Sequence, residues 1–237
     1  MKGTVHAAIG ASAPAGLVIT QHASIMQGAV MSAISAGFAL LPDIDSPRAY
    51  ASTALGRPVH KLVHSLCRKT VDATALGRDK GYIRWKRIRG HDPYHRTLTH
   101  TLVAALVMGI VAYLLTLAGG MATGAVAAFG VFLLWPMYRK TIPLVVVGAA
   151  AVAVGSVLYL DPWLMGLAVS VGYASHIVAD GCTTAGVPAL WPMRIQRKRW
   201  WNIRLLGPMV ASGSLEEKGP AVGVAMASNA LLILLNM

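Results

Sequence analysis

A chain of 237 residues in which 55% are hydrophobic and only 13% charged departs from the soluble norm of about 25% charged. Five stretches of 18 or more residues carry no Lys, Arg, Asp or Glu, the length a helix needs to cross the hydrocarbon; this excludes an ordinary soluble domain. The net charge of +12 does not imply a nucleic-acid ligand, because Lys and Arg collect in the cytoplasmic loops of membrane proteins.

Residues 3–42 hold no formal charge, and Gln21 and His22 divide them into two predicted spans, at 4–20 and 24–41. The first is rich in Gly, Ala and Ser, which suits close helix packing. Ala11-Ser12-Ala13 fits a cleavage site, but the segment before it is too short for a signal peptide, so the N-terminus is retained. Pro42 ends the second span, since the residue before a proline is pushed out of helical geometry. Asp43-Ile44-Asp45-Ser46-Pro47 follows at once.

Residues 46–96 form a polar loop with twelve Lys and Arg against three Asp. Within it, Pro58 to Val71 predicts an amphipathic helix with Val59, Leu62, Val63, Leu66 and Val71 on one face. His60 and His64 fall on the other face beside cations, where a solvated or headgroup-facing surface outweighs a metal pair. Cys67 and Cys182 lack metal or redox spacing and read as packed thiols. Tyr82 to Arg89 interleaves aromatics with cations, which suits phosphates of lipid or nucleic acid.

His95-Arg96-Thr97-Leu98-Thr99-His100 then enters an uncharged run that lasts to Tyr138. Spans are predicted at 98–117, 121–137 and 142–160. Asp161 and Pro162 start another helix as N-cap and first residue, and this helix carries His176 and Asp180 at its far end. Residues 191–204 hold three Trp and five Arg or Lys and suit the headgroup layer; a last apolar run covers 220–237. With basic loops 48–96, 139–140 and 194–204 all cytoplasmic, the parity is consistent. The expected architecture is an all-α polytopic bundle of six or seven membrane helices, a single domain over 1–237 with its site facing the cytoplasm.

Parity places four polar clusters at that one face: His6, Asp43 with Asp45, His95 with His100, and His176 with Asp180. His176 and Asp180 are four apart and project from one helix face. His95 and His100 are five apart, about 140° on a regular helix, so His95 is expected to fold in from the loop. Mixed imidazole and carboxylate ligands suit zinc or manganese, and their number allows two ions. Arg96 is placed to neutralise a phosphate oxygen.

Three blocks carry a family resemblance: Leu41 to Pro47 (LPDIDSP), His95 to His100 (HRTLTH) and Gly172 to Asp180 (GYASHIVAD). Together they resemble the YdjM-like family of membrane-bound metal-dependent hydrolases, some members of which are described as LexA-regulated inner-membrane proteins. Gly186 to Pro192 and Gly213-Ser214-Leu215-Glu216 add to the likeness, making Glu216 a further candidate. The family is similar, distantly, to zinc-dependent phospholipase C and P1-type nucleases. The resemblance implies phosphoester hydrolysis with His6, Asp43, His95 or His100, His176 and Asp180 as ligands; by position, Asp45 beside Asp43 and Arg96 inside the cluster are the catalytic candidates. One departure is Asp92-Pro93-Tyr94, inserted after His91, so that Gly90-His91 or His95-Arg96 corresponds to the family pattern; His95 keeps the spacing to His100.

The expected function is a metal-dependent hydrolase using water activated at the metal, with lipid anionic headgroups as surroundings and a phosphoester as substrate. A proton- or metal-coupled transporter would use the same side chains, although such sites usually lie at mid-membrane. A membrane-anchored nucleic-acid binder would explain the basic loop but leave the acids and histidines without purpose.

Overall fold

The computed structural model describes residues 2–15, 24–138 and 160–204. Among these the chain is all-α, with helices α1 (Gly3–Ser12), α2 (Ile25–Phe38), α3 (Tyr50–Leu55), α4 (Arg57–Thr74), α5 (Gly77–Ile88), α6 (Leu102–Thr116), α7 (Gly120–Tyr138) and α8 (Pro162–Gly181). Two 3-10 turns, Leu41–Asp45 and Leu98–His100, complete the order. Residues 16–20 of the first expected span, 142–159 of the span at 142–160 and all of 220–237 lie outside the described residues, as does Glu216.

Ile25–Asp45, Gly120–Tyr138 and Pro162–Gly181 are long and apolar enough to cross a membrane, and α6 is a shorter apolar helix. The helix starts follow local chemistry. Ser24 and Gln27 form a reciprocal capping box on α2, with bonds of 3.2 and 2.9 Å. Asp161 caps α8 by accepting from the Trp163 amide at 2.7 Å, with Pro162 at the first position as expected.

In lipid, helices gain little by hiding apolar surface from one another, so close contact and hydrogen bonds hold them together. α8 is packed against α1, α2 and α6. Ser35 on α2 donates to the Ala168 carbonyl at 2.7 Å. Gly172 comes so near that a Cβ there would lie 2.5 Å from the Ser35 carbonyl oxygen. The side of α6 turned away from this core is apolar and open: Leu106 and Leu114 are 60% and 56% exposed. In water such a surface is a liability, whereas facing acyl chains it is the ordinary state.

The helix expected from Pro58 is present as α4, but its inward stripe is Val59, Val63, Cys67 and Val71. Leu62 and Leu66, expected on that stripe, lie about 100° round the helix from their neighbours Val63 and Cys67 and are exposed. The basic Tyr82–Arg89 stretch belongs to α5. Asp79, buried in its first turn, accepts from the amides of Arg199 (3.0 Å) and Trp200 (3.3 Å), which ties residues 191–204 to this helix. Trp200 is buried with Val71 and Tyr94, and Trp191 stacks on it at 5.2 Å, so these tryptophans dock the segment rather than all facing headgroups.

Candidate metal centre

The two carboxylates after α2 are presented by the turn that Pro42 starts. The α-helix ends at Phe38, and Leu41–Asp45 tightens into 3-10 geometry, which leaves Asp45 fully buried and Asp43 22% exposed at its side chain. Two bonds hold the carbonyl between them. His60 Nδ1 donates to Ile44 O at 2.9 Å, and Ser52 Oγ donates to the same oxygen at 3.1 Å. His60 therefore braces the turn from α4, and its helical neighbour His64 pairs with Asp92 at 2.8 Å.

The His95–His100 block is irregular until α6 begins. Arg96 takes a left-handed backbone conformation, φ 59°, which is unusual for a residue with a Cβ. Its amide donates to Asp45 Oδ2 at 3.0 Å. The turn thus lets His95 and His100 reach Asp45 and Asp43 without sharing a helix face, as the five-residue spacing requires. From α8, the Tyr173 hydroxyl donates to Thr99 O at 2.8 Å and fixes the turn from behind.

One ligand atom each from Asp43, His100, His176 and Asp180 lies within 4.8 Å of the other three. Around this group, His100 Nε2 is 3.4 Å from Asp43 Oδ1 and 3.6 Å from Asp180 Oδ2. His176 Nε2 is 3.6 Å from Asp43 Oδ1 and 3.5 Å from Asp180 Oδ2. These distances exceed the usual 2.7–3.2 Å of N–H···O bonds. They suit the edges of a tetrahedron: metal–ligand bonds of about 2.0–2.1 Å place neighbouring ligand atoms about 3.4 Å apart.

The opposite nitrogens of both rings are committed. His176 Nδ1 lies 2.8 Å from Ala39 O, which can only accept, so Nδ1 carries a proton, and in the neutral ring Nε2 is the nitrogen with the lone pair. Asp45 Oδ2 accepts from Thr99 Oγ1 at 3.1 Å, and that hydroxyl is 3.0 Å from His100 Nδ1. Since Thr99 gives its proton to Asp45, its oxygen accepts from His100 Nδ1–H. Among the described residues, His100 Nε2 and His176 Nε2 are buried and without hydrogen-bond partners. A buried polar atom without a partner costs on the order of 1–3 kcal/mol, so two such atoms aimed at two carboxylates fit a cation well.

A family model described as YdjM inner membrane protein matches residues 1–235. The chain belongs to the YdjM inner membrane protein family. No curated protein and no solved structure matches it. Membership places this YdjM protein at the membrane, in agreement with its apolar helices, and its buried His and Asp group could hold a metal ion.

The remaining sequence-predicted residues surround that group. His6 is buried, stacks on His176 at 3.7 Å and approaches Asp180 Oδ1 to 3.4 Å; neither of its nitrogens has a hydrogen-bond partner among the described residues. His95 Nδ1 bonds Asp45 Oδ1 at 2.9 Å. Asp43, Asp45 and His95 form a second group of potential ligands, although two of them are bonded to each other here. Burial lowers the His95 pKa, but the Asp45 hydrogen bond and charge, with Asp43, outweigh it and raise the pKa above the ordinary value. Arg96 Nε pairs with Asp180 Oδ2 at 2.9 Å, and its Nη1 donates to Thr183 Oγ1 at 3.0 Å. Cys67 lies under the centre with its thiol pushed up to about 11 by burial, protonated and packed as expected.

Sequence reading missed Thr99, Thr183, Ser52 and the Ala39 carbonyl. Thr99 had a signal, since a hydroxyl directly before a candidate ligand can reach that ring. The carbonyl had none.

Proposed function

We propose that this YdjM protein is a metal-dependent hydrolase that cleaves a phosphoester of an anionic or isoprenoid lipid at the cytoplasmic face of the inner membrane. The reading is supported by four His Nε2–Asp oxygen distances of 3.4–3.6 Å, with Nδ1 of both imidazoles engaged so that Nε2 is the nitrogen left for an ion. Asp43, His100, His176 and Asp180 would hold zinc or manganese. When bound, the ion polarises a phosphate oxygen and lowers the pKa of water.

The chain's own groups divide the rest of the work. Arg96 brings a cation to Asp180 and to the phosphate that would lie beside it. Asp45 spends its oxygens on His95, Thr99 and the Arg96 amide, so it serves here to orient rather than to take a proton. His95, one-third exposed and held at Nδ1, keeps Nε2 for exchanging a proton with the attacking water. His6 belongs to neither group of potential ligands and supports the centre from beside it, stacked on His176 and 3.4 Å from Asp180 Oδ1.

A lipid substrate follows from position. The centre lies at the ends of α2 and α8 and at the starts of α1 and α6, where a headgroup would reach it. The exposed faces of α4 and α5 carry Lys61, Arg68, Lys80, Arg84 and Arg87, and each cation near an anionic surface contributes about 1 kcal/mol of attraction. The basic segments also orient the chain with this end in the cytoplasm through multiple spans. The test is phosphate release from lipid phosphates in mixed micelles, using stripped protein with Mn²⁺ or Zn²⁺ restored. Cleavage of nucleic acid with none of any lipid phosphate would overturn the substrate. Metal flux into proteoliposomes without hydrolysis would replace the enzyme by a transporter.

A further inference from the structure

A cleft of about 480 Å³ lies between α5 and the 198–204 segment, lined by Tyr82, Ala185, Lys198, Trp201, Asn202 and Arg204 among others, with no Asp or Glu among the described residues of its wall. It borders the metal centre: Ala185 lies two residues beyond Thr183, the acceptor of Arg96 Nη1, and Asn202 Nδ2 closes on Ala185 O at 3.0 Å. Lys86, which reaches His95 O at 3.5 Å, also lies 5.4 Å from the centre of the Tyr82 ring.

The cations here are positioned rather than loose. Lys198 Nζ sits over two rings, 5.8 Å from Tyr82 and 5.3 Å from Trp201. It is held there by a two-residue hairpin in which Ile195 and Lys198 exchange backbone bonds of 2.9 Å. The turn residues Gln196 and Arg197 both have positive φ, 49° and 62°, which this tight turn requires. Ring faces hold an ammonium without neutralising it. Arg204 lines the same wall as Tyr82 and Lys198. Lys198, Lys86 and Arg204 thus stand around Tyr82, with no carboxylate among the described residues of the cleft wall.

We infer that this cleft is an anion subsite that binds a second phosphate group of the substrate, beyond the one at the metal centre. Its place in the reaction rests on the hydrolase reading; the binding itself does not. The substrate class becomes a phosphoester that carries a further anionic phosphate, as in a lipid diphosphate or a phosphorylated headgroup, and zwitterionic headgroups are disfavoured by the surplus positive charge. The same chemistry would accept a soluble diphosphate, so the probes must separate the two sources.

The experiment uses the full chain in neutral detergent with chelator present, and reads the change in intrinsic Trp fluorescence, to which Trp200 and Trp201 in the cleft wall contribute. The probes are a short-chain phosphatidic acid, inorganic pyrophosphate, a short-chain phosphatidylcholine and a single-stranded oligonucleotide. Wild type should bind phosphatidic acid, pyrophosphate or both, and phosphatidylcholine at least tenfold more weakly. Lys198→Ala with Arg204→Ala should weaken phosphate binding tenfold or more, while Lys198→Arg retains it and shows that the hairpin still folds. Binding of phosphatidic acid alone assigns the cleft to a headgroup, and binding of pyrophosphate alone assigns it to a soluble phosphate; either supports the subsite. Equal affinity in wild type and the double variant, or tighter binding of the oligonucleotide than of either phosphate, overturns it. His176→Ala should bind the probes like wild type, so a failed hydrolysis assay and a failed subsite are told apart.

Discussion

His176 Nδ1 lies 2.8 Å from the carbonyl oxygen of Ala39, and that bond decides which nitrogen the ring presents to Asp43 and Asp180. The carbonyl is free because α2 stops at Phe38 and the chain tightens toward Pro42. A helix end thus supplies both a candidate ligand, Asp43, and the group that orients a second candidate, His176, from α8. Thr99 does the same for His100, under the hold of Asp45.

Thr99→Val removes the hydroxyl between Asp45 and His100 while keeping the side-chain volume. Partners of this kind typically contribute ten- to a hundredfold in metal affinity. The variant should bind added Zn²⁺ about ten- to a hundredfold more weakly than wild type in a competition titration, yet still fill at saturation. Unaltered affinity would separate Thr99 from the centre.

The pH dependence of stability should carry the His95–Asp45 pair. The folded-state pKa of His95 lies above its unfolded value, about 6.5. The stabilisation is therefore fully present below about pH 6.5 and is lost as pH rises through the raised folded pKa. Thermal midpoints measured with chelator from pH 5 to 9 should fall in that direction for wild type, and His95→Gln should flatten the profile. A midpoint that climbs through that window in wild type alone would contradict the pairing.

Close contact between α2 and α8 positions ligands on both helices. Gly172→Leu must displace the Ser35 backbone, an overpacking that costs on the order of 1–3 kcal/mol. The variant should melt at lower temperature and also hold less metal, because Asp43 and His176 ride on the two helices being separated. Loss of stability with full metal retention would mean that the ligands do not depend on this contact.

Topology is tested by reporter fusions. Fusions after Arg89 and Arg199 should score cytoplasmic, and fusions after Gly120 and Asp161 should score external. An external Arg89 would place the centre on the other face and remove the cytoplasmic assignment.

The ligand set was legible where spacing alone decides it. His176 and Asp180 are four apart on a helix, and no tertiary contact is needed to put them on one face. Asp43 was legible because Pro42 fixes where the helix stops. The roles of Asp45 and Arg96 were less so. Their residue types suit a base and a phosphate holder, but the left-handed backbone at Arg96 turns its amide to Asp45 and its guanidinium to Asp180. No sequence period encodes that turn. α5 lacked an apolar repeat because one buried acid, Asp79, anchors its first turn. Leu62 and Leu66 read as one face with Val59, Val63 and Val71 because pattern alone cannot tell a core-facing stripe from one facing lipid or solvent.

The most direct measurement is the divalent metal content of purified protein, by elemental analysis, in wild type beside His176→Ala and Asp180→Asn. Wild type should carry at least one zinc or manganese per chain and both variants far less. Stripping the ion should lower the wild-type thermal midpoint, since saturation at a hundred times Kd stabilises by about 2.7 kcal/mol. Equal trace metal in all three proteins, with no shift on chelation, would contradict the metal centre and with it the hydrolase built upon it.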